Sequence, residues 1–337
     1  MIYLDRNEFN FEPSSLVKET FRNFDINTLC FYTRIYDQGK KSILSVYLSE
    51  LYGIDERQVI LGYGAEDLLK MAIHFFLTEG DNRTILIPKF SWWYYKSIAS
   101  EVNGVTDFYP LYETEDSFRY DLDELEQIVK EKRPRILLIA SPNNPTGNNL
   151  DRDDIIRVIE HFDGLVVVDE TYADFSNERQ FSNDLNRWPN LVVLHSLNAA
   201  YGCAALSVGM AYASADIIAI MDKVKYPYNV NTPSQKQATE AIKAFPDMNK
   251  WVKILLLERG RMIEAFSLLP ICEAVYPTNA NFFLAKMTDA TAIHDYLKRQ
   301  GIMVRNCTDM PLCHNCLRIT VGTKSENNQL LSALRQY

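Results

Sequence analysis

Acidic, amide and phenolic side chains follow two apolar runs of this sequence, directly after the point where each run stops. Asp169 and Tyr172 come after Leu165–Val168, and a Ser-Pro-Asn-Asn-Pro-Thr-Gly turn containing Asn144 comes after Ile136–Ala140. A carboxylate at the end of a buried strand is costly unless a partner satisfies it, which favours a ligand role for Asp169 over a helix cap. Open α/β sheets bind ligands at the carboxyl ends of their strands. The sequence therefore predicts a ligand site at this edge of a sheet.

The elements that must position these groups are short apolar runs separated by polar segments of helix length. The runs are Thr84–Ile87, Ile136–Ala140, Leu165–Val168 and Leu191–Leu194. Continuous apolar runs rich in Ile and Val, spaced in this way, are typical of parallel strands covered by helices on both faces. We therefore expect an α/β protein. Phe90 follows the first run and Ser196 follows the last, so both are further candidates for the site.

A glycine turn precedes these runs and offers a second kind of binding group. The strand-like segment Gln58–Gly62 leads through Gly64, Ala65 and Glu66 into an apolar helix, Leu68–Leu77. Free backbone N–H groups at such a helix start suit a phosphate. The turn lacks the later glycine of the Gly-x-Gly-x-x-Gly fingerprint, which argues against a dinucleotide-binding fold.

Length and composition bound the class of protein. At 337 residues the chain exceeds one ordinary core, and we expect an N-terminal arm (1–30), a large domain (31–235) and a small C-terminal domain (236–337). A net charge of −9 argues against nucleic acid as a partner. No apolar run approaches the roughly 20 residues that span a bilayer, so no membrane partner is expected. The N-terminus also lacks the basic and apolar regions of a signal peptide.

Six cysteines in a chain of this length do not form a disulfide framework. Cys307, Cys313 and Cys316 cluster near His314, and Cys313 and Cys316 form one Cys-x-x-Cys pair. Structural zinc needs four well-spaced ligands and no second pair exists, so free thiols on a loop are favoured over a metal site. Together with the absent signal peptide, this composition predicts a cytoplasmic, reduced protein.

The segment Leu191–Gly209 resembles the cofactor-lysine segment of the fold type I pyridoxal-phosphate (PLP) aminotransferases, particularly the histidinol-phosphate aminotransferase group. That pattern runs Ser-x-x-Lys-Ala-Tyr/Phe-Gly-Leu-Ala-Gly-Leu-Arg-Val-Gly. The residues that match it in register are Ser196, Ala200, Tyr201, Gly202, Ala204, Leu206, Val208 and Gly209. Two charged positions of the pattern differ in this sequence. Ala199 occupies the position of the cofactor lysine, and Ser207 occupies the position of the arginine that binds the phosphate.

Further segments resemble the same family along nearly the whole chain. They are Leu4–Pro13, within the arm Met1–Pro13 that reads as irregular, and the segments Tyr32–Asp37, Tyr226–Asn231, Gly301–Arg305 and Cys316–Thr323. The resemblance implies a fold type I PLP-transferase, with a mostly parallel central sheet flanked by helices and a smaller α+β C-terminal domain. It also implies a homodimer with shared active sites, in which Tyr36 reaches the cofactor phosphate of the neighbouring subunit.

The resemblance implies roles for the residues around the cofactor ring. Asp169 would hold a proton on the pyridine nitrogen of PLP, which is an electron sink for a carbanion at the substrate α-carbon. Asn144 and Tyr172 would hydrogen-bond the phenolic oxygen. Phe90 falls near the position at which relatives stack an aromatic ring on the pyridine, and two neighbours compete for that role, Trp92 and Trp93.

The same comparison implies contacts for the phosphate. The backbone of Ala65 and Glu66 and the hydroxyl of Ser196 match the phosphate cradle. Ser207 can donate one hydrogen bond but cannot form the bidentate charged fork of an arginine. Phosphate affinity would then depend on Tyr36 of the partner and on the helix N-terminus.

Two arginines match groups that bind the substrate. Arg318 matches the arginine that binds the substrate α-carboxylate, and a charge inside the apolar strand Cys316–Thr323 favours a ligand role over an exposed edge position. Arg305 would meet a distal anionic group. The implied partner is a small amine or amino-acid substrate.

Ala199 sets the expected activity. The family lysine binds PLP covalently and moves the proton of the α-carbon, and general acid–base catalysis alone contributes roughly 10²–10⁴-fold. We therefore expect a nearly inactive aminotransferase for amino acids or amino-phosphates. An engineered Lys→Ala change that traps a substrate–PLP adduct is favoured over a natural pseudoenzyme, because the residues around the position are intact apart from Ser207. The alternatives are a decarboxylase of an amino-acid phosphate and a non-catalytic protein that binds PLP or an amine.

Overall fold

The computed structural model describes residues 1–33, 41–115 and 117–337. The α-helices in these ranges are α1 (Ser15–Arg22), α2 (Ile43–Tyr52), α3 (Gly64–Thr78), α4 (Tyr94–Glu101), α5 (Leu122–Lys132), α6 (Arg152–His161), α7 (Ala215–Val224), α8 (Thr232–Lys243), α9 (Phe245–Ser267), α10 (Ala290–Arg299) and α11 (Lys324–Gln336). The strands are β1 (Ile2–Leu4), β2 (Val59–Tyr63), β3 (Thr84–Pro88), β4 (Val105–Tyr109), β5 (Leu111–Glu113), β6 (Phe118–Tyr120), β7 (Ile136–Ala140), β8 (Leu165–Asp169), β9 (Leu191–Ser196), β10 (Val208–Ala213), β11 (Cys272–Val275), β12 (Phe282–Met287), β13 (Ile302–Asn306) and β14 (Cys316–Thr320).

A seven-stranded sheet in the order β2-β10-β9-β8-β7-β3-β4 forms the centre of the fold. The five strands from β9 to β4 are parallel to one another. Only β10 runs against its neighbours, pairing antiparallel with β9 and with β2. The predicted α/β class with a mostly parallel central sheet is confirmed, and each of the four apolar runs forms one of its strands.

Both faces of this sheet are buried, which explains why the strands read as continuous apolar runs. In β7, Leu137 and Ile139 pack into one apolar cluster, whereas Ile136 and Leu138 pack into another on the opposite face. The first cluster includes side chains of α2, α5 and α6, and the second those of α3, α4 and α7. This is the period-two alternation of a strand, hidden in the sequence because each face has its own helical layer.

A second sheet of five strands, in the order β1-β13-β14-β12-β11, lies with the C-terminal part of the chain. Its edge strand β1 corrects the interpretation of the first residues as an irregular arm. Ile2 and Leu4 pair in parallel register with Ile302 and Val304, and Leu4 is fully buried. A strand of three residues is too short to show a periodicity, so the sequence could not reveal it.

The segment from Ser234 past Trp251 forms two helices rather than one. α8 ends at Lys243 and α9 begins at Phe245, with Ala244 between them. Pro246 lies in the first turn of α9, where its missing N–H costs nothing, although it would break a continuous helix. Among the described residues, no helix combines the length and the apolar character needed to cross a membrane.

Candidate active site

A cavity of about 530 Å³ opens at the carboxyl ends of β7, β8 and β9. It brings together most of the candidate residues, namely Ala65, Glu66, Asn144, Asp169, Tyr172, Ser196, Ala199, Arg305 and Arg318. Phe90 and Ser207 do not line it, and Tyr36 lies outside the described residues. Residues that are distant in the sequence therefore meet at the edge that the strand ends indicated.

Asp169 is the last residue of β8 and is held by three hydrogen bonds. The Tyr95 hydroxyl donates to Oδ2 at 2.7 Å, and the backbone N–H and hydroxyl of Thr171 donate to Oδ1 at 3.0 and 2.5 Å. Burial, together with the adjacent Asp169 carboxylate, raises the pKa of the Tyr95 phenol well above its ordinary value, so this group stays a donor. Tyr95 lies on α4, and nothing in the sequence distinguished it from the other tyrosines.

The N-terminal residues cover one side of the cavity and contact Tyr172. The side-chain amide of Asn7 donates to the Tyr172 hydroxyl at 3.0 Å, while the Asn7 backbone N–H donates to the Thr320 hydroxyl at 2.9 Å. Asn7 has a left-handed backbone (φ 59°), which asparagine tolerates better than most residues. Burial raises the pKa of Tyr172. Burial thus keeps the phenol neutral, and Asn7, a residue that the sequence did not single out, orients it.

Arg318 lies in the middle of β14 and is only 9% exposed. Nη1 donates to Oδ1 of Asn144 at 2.5 Å, and Nη2 donates to the backbone carbonyl of Asp5 at 2.7 Å. Its Nε is buried without a partner among the described residues. Burial lowers the pKa of the guanidinium from its ordinary value, yet an arginine remains charged. A buried cation with a free donor at the cavity wall can bind an anion. Arg305, its cross-strand neighbour, is exposed at the cavity edge.

The glycine turn and the segment after β9 form another wall of the cavity. Gly64 (φ 76°) begins α3, and its N–H donates to the carbonyl of Ser207 at 2.7 Å. Gly209 packs so closely on this turn that a Cβ at that position would lie 2.6 Å from the Ala65 nitrogen. The Ser196 hydroxyl accepts from the N–H of Asn198 at 3.1 Å. These contacts fix the start of α3 beside the end of β9.

The aromatic candidates are distributed differently from the first expectation. Trp92 and Trp93 line the cavity, and Trp93 is 64% exposed. Phe90 packs against the apolar core, and its carbonyl accepts from the side chain of Asn143 at 2.8 Å. The chain turns into α4 just after Phe90, which brings the two tryptophans to the cavity edge.

Ala199 lines the cavity with a methyl group and is 2% exposed. The side chain provides no acid, base or nucleophile. The cavity nonetheless combines a fixed carboxylate, a neutral phenol, a buried arginine and a helix start, an arrangement suited to an anionic ligand with a polar ring.

The chain is similar to known proteins along nearly its whole length. The family model "Aminotransferase class I and II" matches residues 1–334. The chain is 42% identical over 303 residues to a histidinol-phosphate aminotransferase of Bacteroides fragilis, covering 90% of this chain and 86% of that relative.

Solved structures share the fold at lower identity. The histidinol-phosphate aminotransferase of Sinorhizobium meliloti, in complex with pyridoxal-5'-phosphate, matches with a TM-score of 0.87 at 19% identity, covering 99% of this chain and 90% of that one. An L-threonine-O-3-phosphate decarboxylase of Porphyromonas gingivalis matches with a TM-score of 0.83 at 20% identity, covering 100% and 99%. The fold is therefore that of the fold type I PLP-transferases. With a family match over nearly its whole length, the chain belongs to the class I and II aminotransferases, whose cofactor is pyridoxal phosphate.

Proposed function

We propose that this chain binds PLP in the cavity and has the site of a histidinol-phosphate aminotransferase-like enzyme in which Ala199 stands at the lysine position. The observation that carries the proposal is the Asp169 carboxylate, which three donors hold at the end of β8 facing the same cavity as Ala199. Such a carboxylate suits a protonated ring nitrogen. PLP, when bound, supplies an electron sink for a carbanion at the substrate α-carbon.

The residues present fit the ring of this cofactor. Asp169 would keep a proton on the pyridine nitrogen, with Tyr95 and Thr171 holding the carboxylate in place. Tyr172 and Asn144 would meet the phenolic oxygen. For the ring face, Trp93 supports a stacking role better than Phe90, because it lines the cavity and is exposed there.

The phosphate end fits less completely. Backbone N–H groups of Ala65 and Glu66 and the Ser196 hydroxyl supply donors at the cavity wall. Ser207 does not line the cavity, and its hydroxyl would have to move to reach a phosphate. Tyr36 of the partner subunit would be a further donor to the phosphate.

Substrate binding would depend on the two arginines. Arg318 is buried, charged and has an unused Nε donor, which suits an α-carboxylate or a similar anion. Arg305 is exposed beside it and would bind a distal anionic group of an amino acid or amino-phosphate.

Ala199 leaves the site without a group that binds the cofactor covalently or moves a proton at the substrate α-carbon. We therefore propose that transamination by this sequence is nearly absent, since acid–base catalysis alone is worth roughly 10²–10⁴-fold. An engineered Lys→Ala change remains favoured over a natural pseudoenzyme, because the contacts of Asp169, Asn144 and Arg318 form a coherent site. A decarboxylase is supported only by the shared fold, and fold does not settle reaction type.

We further propose a cytoplasmic homodimer. Tyr32 and Tyr228 stack on the surface at a centroid distance of 4.9 Å, and Tyr32 is 77% exposed. Exposed aromatic groups of this kind are typical of protein interfaces. All six cysteines lie in the described residues and are free thiols, in keeping with a reducing compartment.

The test is the variant Ala199→Lys with added PLP, whose absorption is recorded before and after borohydride reduction. We expect a yellow protein with the cofactor covalently fixed at position 199. Ala199→Met, a linear side chain without an amine, is the matched control and should fix none. A colourless Ala199→Lys protein that does not retain PLP would refute the proposal. With an active variant, keto acid rather than carbon dioxide as product would separate transamination from decarboxylation.

A further inference from the structure

The first turn of α3 carries two acids, and only one of them caps the helix. Oδ2 of Asp67 accepts the backbone N–H of Tyr63 at 2.9 Å and the side-chain amide of Asn229 at 3.1 Å. In a capping box, the Glu66 side chain would accept the backbone N–H of Tyr63, the N-cap residue of α3. Because Asp67 already satisfies that N–H, the ordinary capping role of Glu66 is taken.

The Glu66 side chain instead turns toward the cavity. It lines the cavity wall. Oε2 lies over Gly64, directly where a side chain at that position would point. The carboxylate thus covers the glycine turn at which the cofactor phosphate would bind.

Among the described residues, Glu66 forms no ion pair with a Lys, Arg or His. Burial raises the pKa of Glu66, and the neighbouring Asp169 carboxylate adds to that rise. An unpaired carboxylate beside a phosphate site repels the phosphate, since like charges disfavour each other most where water is partly excluded.

We propose that the Glu66 side chain is a tethered anion that occupies the phosphate cradle at the start of α3, so that the cofactor phosphate must displace it. This inference rests on the proposed PLP site and adds a property to it. The chain binds PLP less tightly than its hydrogen-bond donors would allow, and the phosphate contributes little to the preference for PLP over pyridoxal, which lacks it.

The experiment measures equilibrium binding of PLP and of pyridoxal to the full chain, followed by quenching of tryptophan fluorescence, since Trp92 and Trp93 line the cavity. Glu66→Gln removes the charge and keeps the shape of the side chain. We expect it to tighten PLP binding by about tenfold or more and to change pyridoxal binding by less than about threefold. Inorganic phosphate should compete with PLP more effectively in this variant than in the parent chain.

Asp67→Asn is the matched control, because it removes a negative charge from the same turn at a residue that does not line the cavity. PLP affinity should stay within about threefold in that variant, as the lost charge lies outside the cradle. Glu66→Asp keeps the charge but shortens the side chain, so it should tighten PLP binding relative to the parent chain, although less than Glu66→Gln does. This second variant tests the inference if the glutamine variant does not fold.

The outcomes separate the two proposals. If the parent chain binds PLP and Glu66→Gln binds it no more tightly, or tightens PLP and pyridoxal equally, the tethered-anion inference is wrong and the PLP site stands. If no variant binds either form of the cofactor, both the inference and the proposed function are overturned.

Discussion

The Tyr95 hydroxyl and Oδ2 of Asp169 are joined by a 2.7 Å hydrogen bond in the interior of the protein. Tyr95 is 3% exposed and Asp169 is 8% exposed. The bond links α4 to the end of β8 and fixes the carboxylate that the proposed cofactor site depends on. Its removal is therefore expected to affect both folding and ligand binding.

Tyr95→Phe should lower the free energy of unfolding by about 1.5–3 kcal/mol, the range for a hydrogen bond to a charged group. Urea denaturation measures this change. Tyr109→Phe is the matched control, because its buried hydroxyl donates at 3.0 Å to the uncharged carbonyl of Leu138 and should cost only about 0.5–1.5 kcal/mol. Equal losses in the two variants would contradict a special role for the Tyr95 contact.

Arg318→Lys should destabilise the protein by about 2–3 kcal/mol. The single ammonium group of lysine cannot replace the two guanidinium nitrogens that donate to Asn144 and to the Asp5 carbonyl. Hydrogen exchange at residues 5–7 should rise, because the Asp5 contact helps to hold these residues at the cavity. Arg305→Lys, at an exposed neighbouring position, should change stability by less than about 0.5 kcal/mol. Unchanged exchange at residues 5–7 in Arg318→Lys would show that other contacts hold them.

Gly209→Ala should cost about 1–3 kcal/mol, because the added methyl would collide with the backbone of Gly64 and of Ala65 rather than with a movable side chain. Thermal or urea unfolding measures the loss. Gly260→Ala is the control within α9, where nothing lies within 4 Å of the new Cβ. That change should stabilise the protein by about 0.5–1 kcal/mol. A neutral effect at Gly209 would mean that the α3 turn shifts easily.

Glu170 makes the stability depend on pH. Burial raises the pKa of this carboxyl from 4.5 to about 7, with the buried Asp174 adding to the rise and His195 opposing it. Between these pH values the unfolded chain releases the proton that the folded protein keeps. The contribution of Glu170 to stability is therefore fully present below pH 4.5 and is lost as the pH rises through about 7.

Glu170→Gln keeps the neutral form at every pH. Relative to the parent chain, its free energy of unfolding should increase as the pH rises from 4.5 to 7, by at most about 1.4 kcal/mol per pH unit, and then level off. Urea denaturation across this range measures the difference. The exposed control Glu79→Gln should show no such trend. A parallel pH dependence in Glu170→Gln and the parent chain would contradict a protonated Glu170.

The sequence predicted the sheet and part of the site for different physical reasons. The strands were visible because both faces of the sheet are buried, which leaves runs such as Leu165–Val168 wholly apolar. Asp169 could be predicted as a site residue because a charge directly after such a run needs a partner. Tyr95 could not, because it lies on an amphipathic helix in which a tyrosine is ordinary. Its importance comes only from the fold, which brings α4 to the end of β8.

The side chains at the cavity edge were the least predictable part. Phe90 and the two following tryptophans are equivalent in the sequence, and only the turn into α4 separates Phe90 from the cavity. The direction of the Glu66 side chain depends on which of two adjacent acids caps α3, and no pattern in the sequence decides that. The proposed roles of the site residues and the domain boundaries remain predictions.

The pairing of Ile2–Leu4 with Ile302–Val304 has a consequence for synthesis of the chain. Residues 2–4 cannot find their strand partner until residues 302–304 have been synthesised. Because Asp5 and Asn7 follow that strand and contact Arg318 and Tyr172, the cavity is completed only after residue 318 has been synthesised. The central sheet can form earlier, so the nascent protein passes through a stage in which its core is folded and its site is still open.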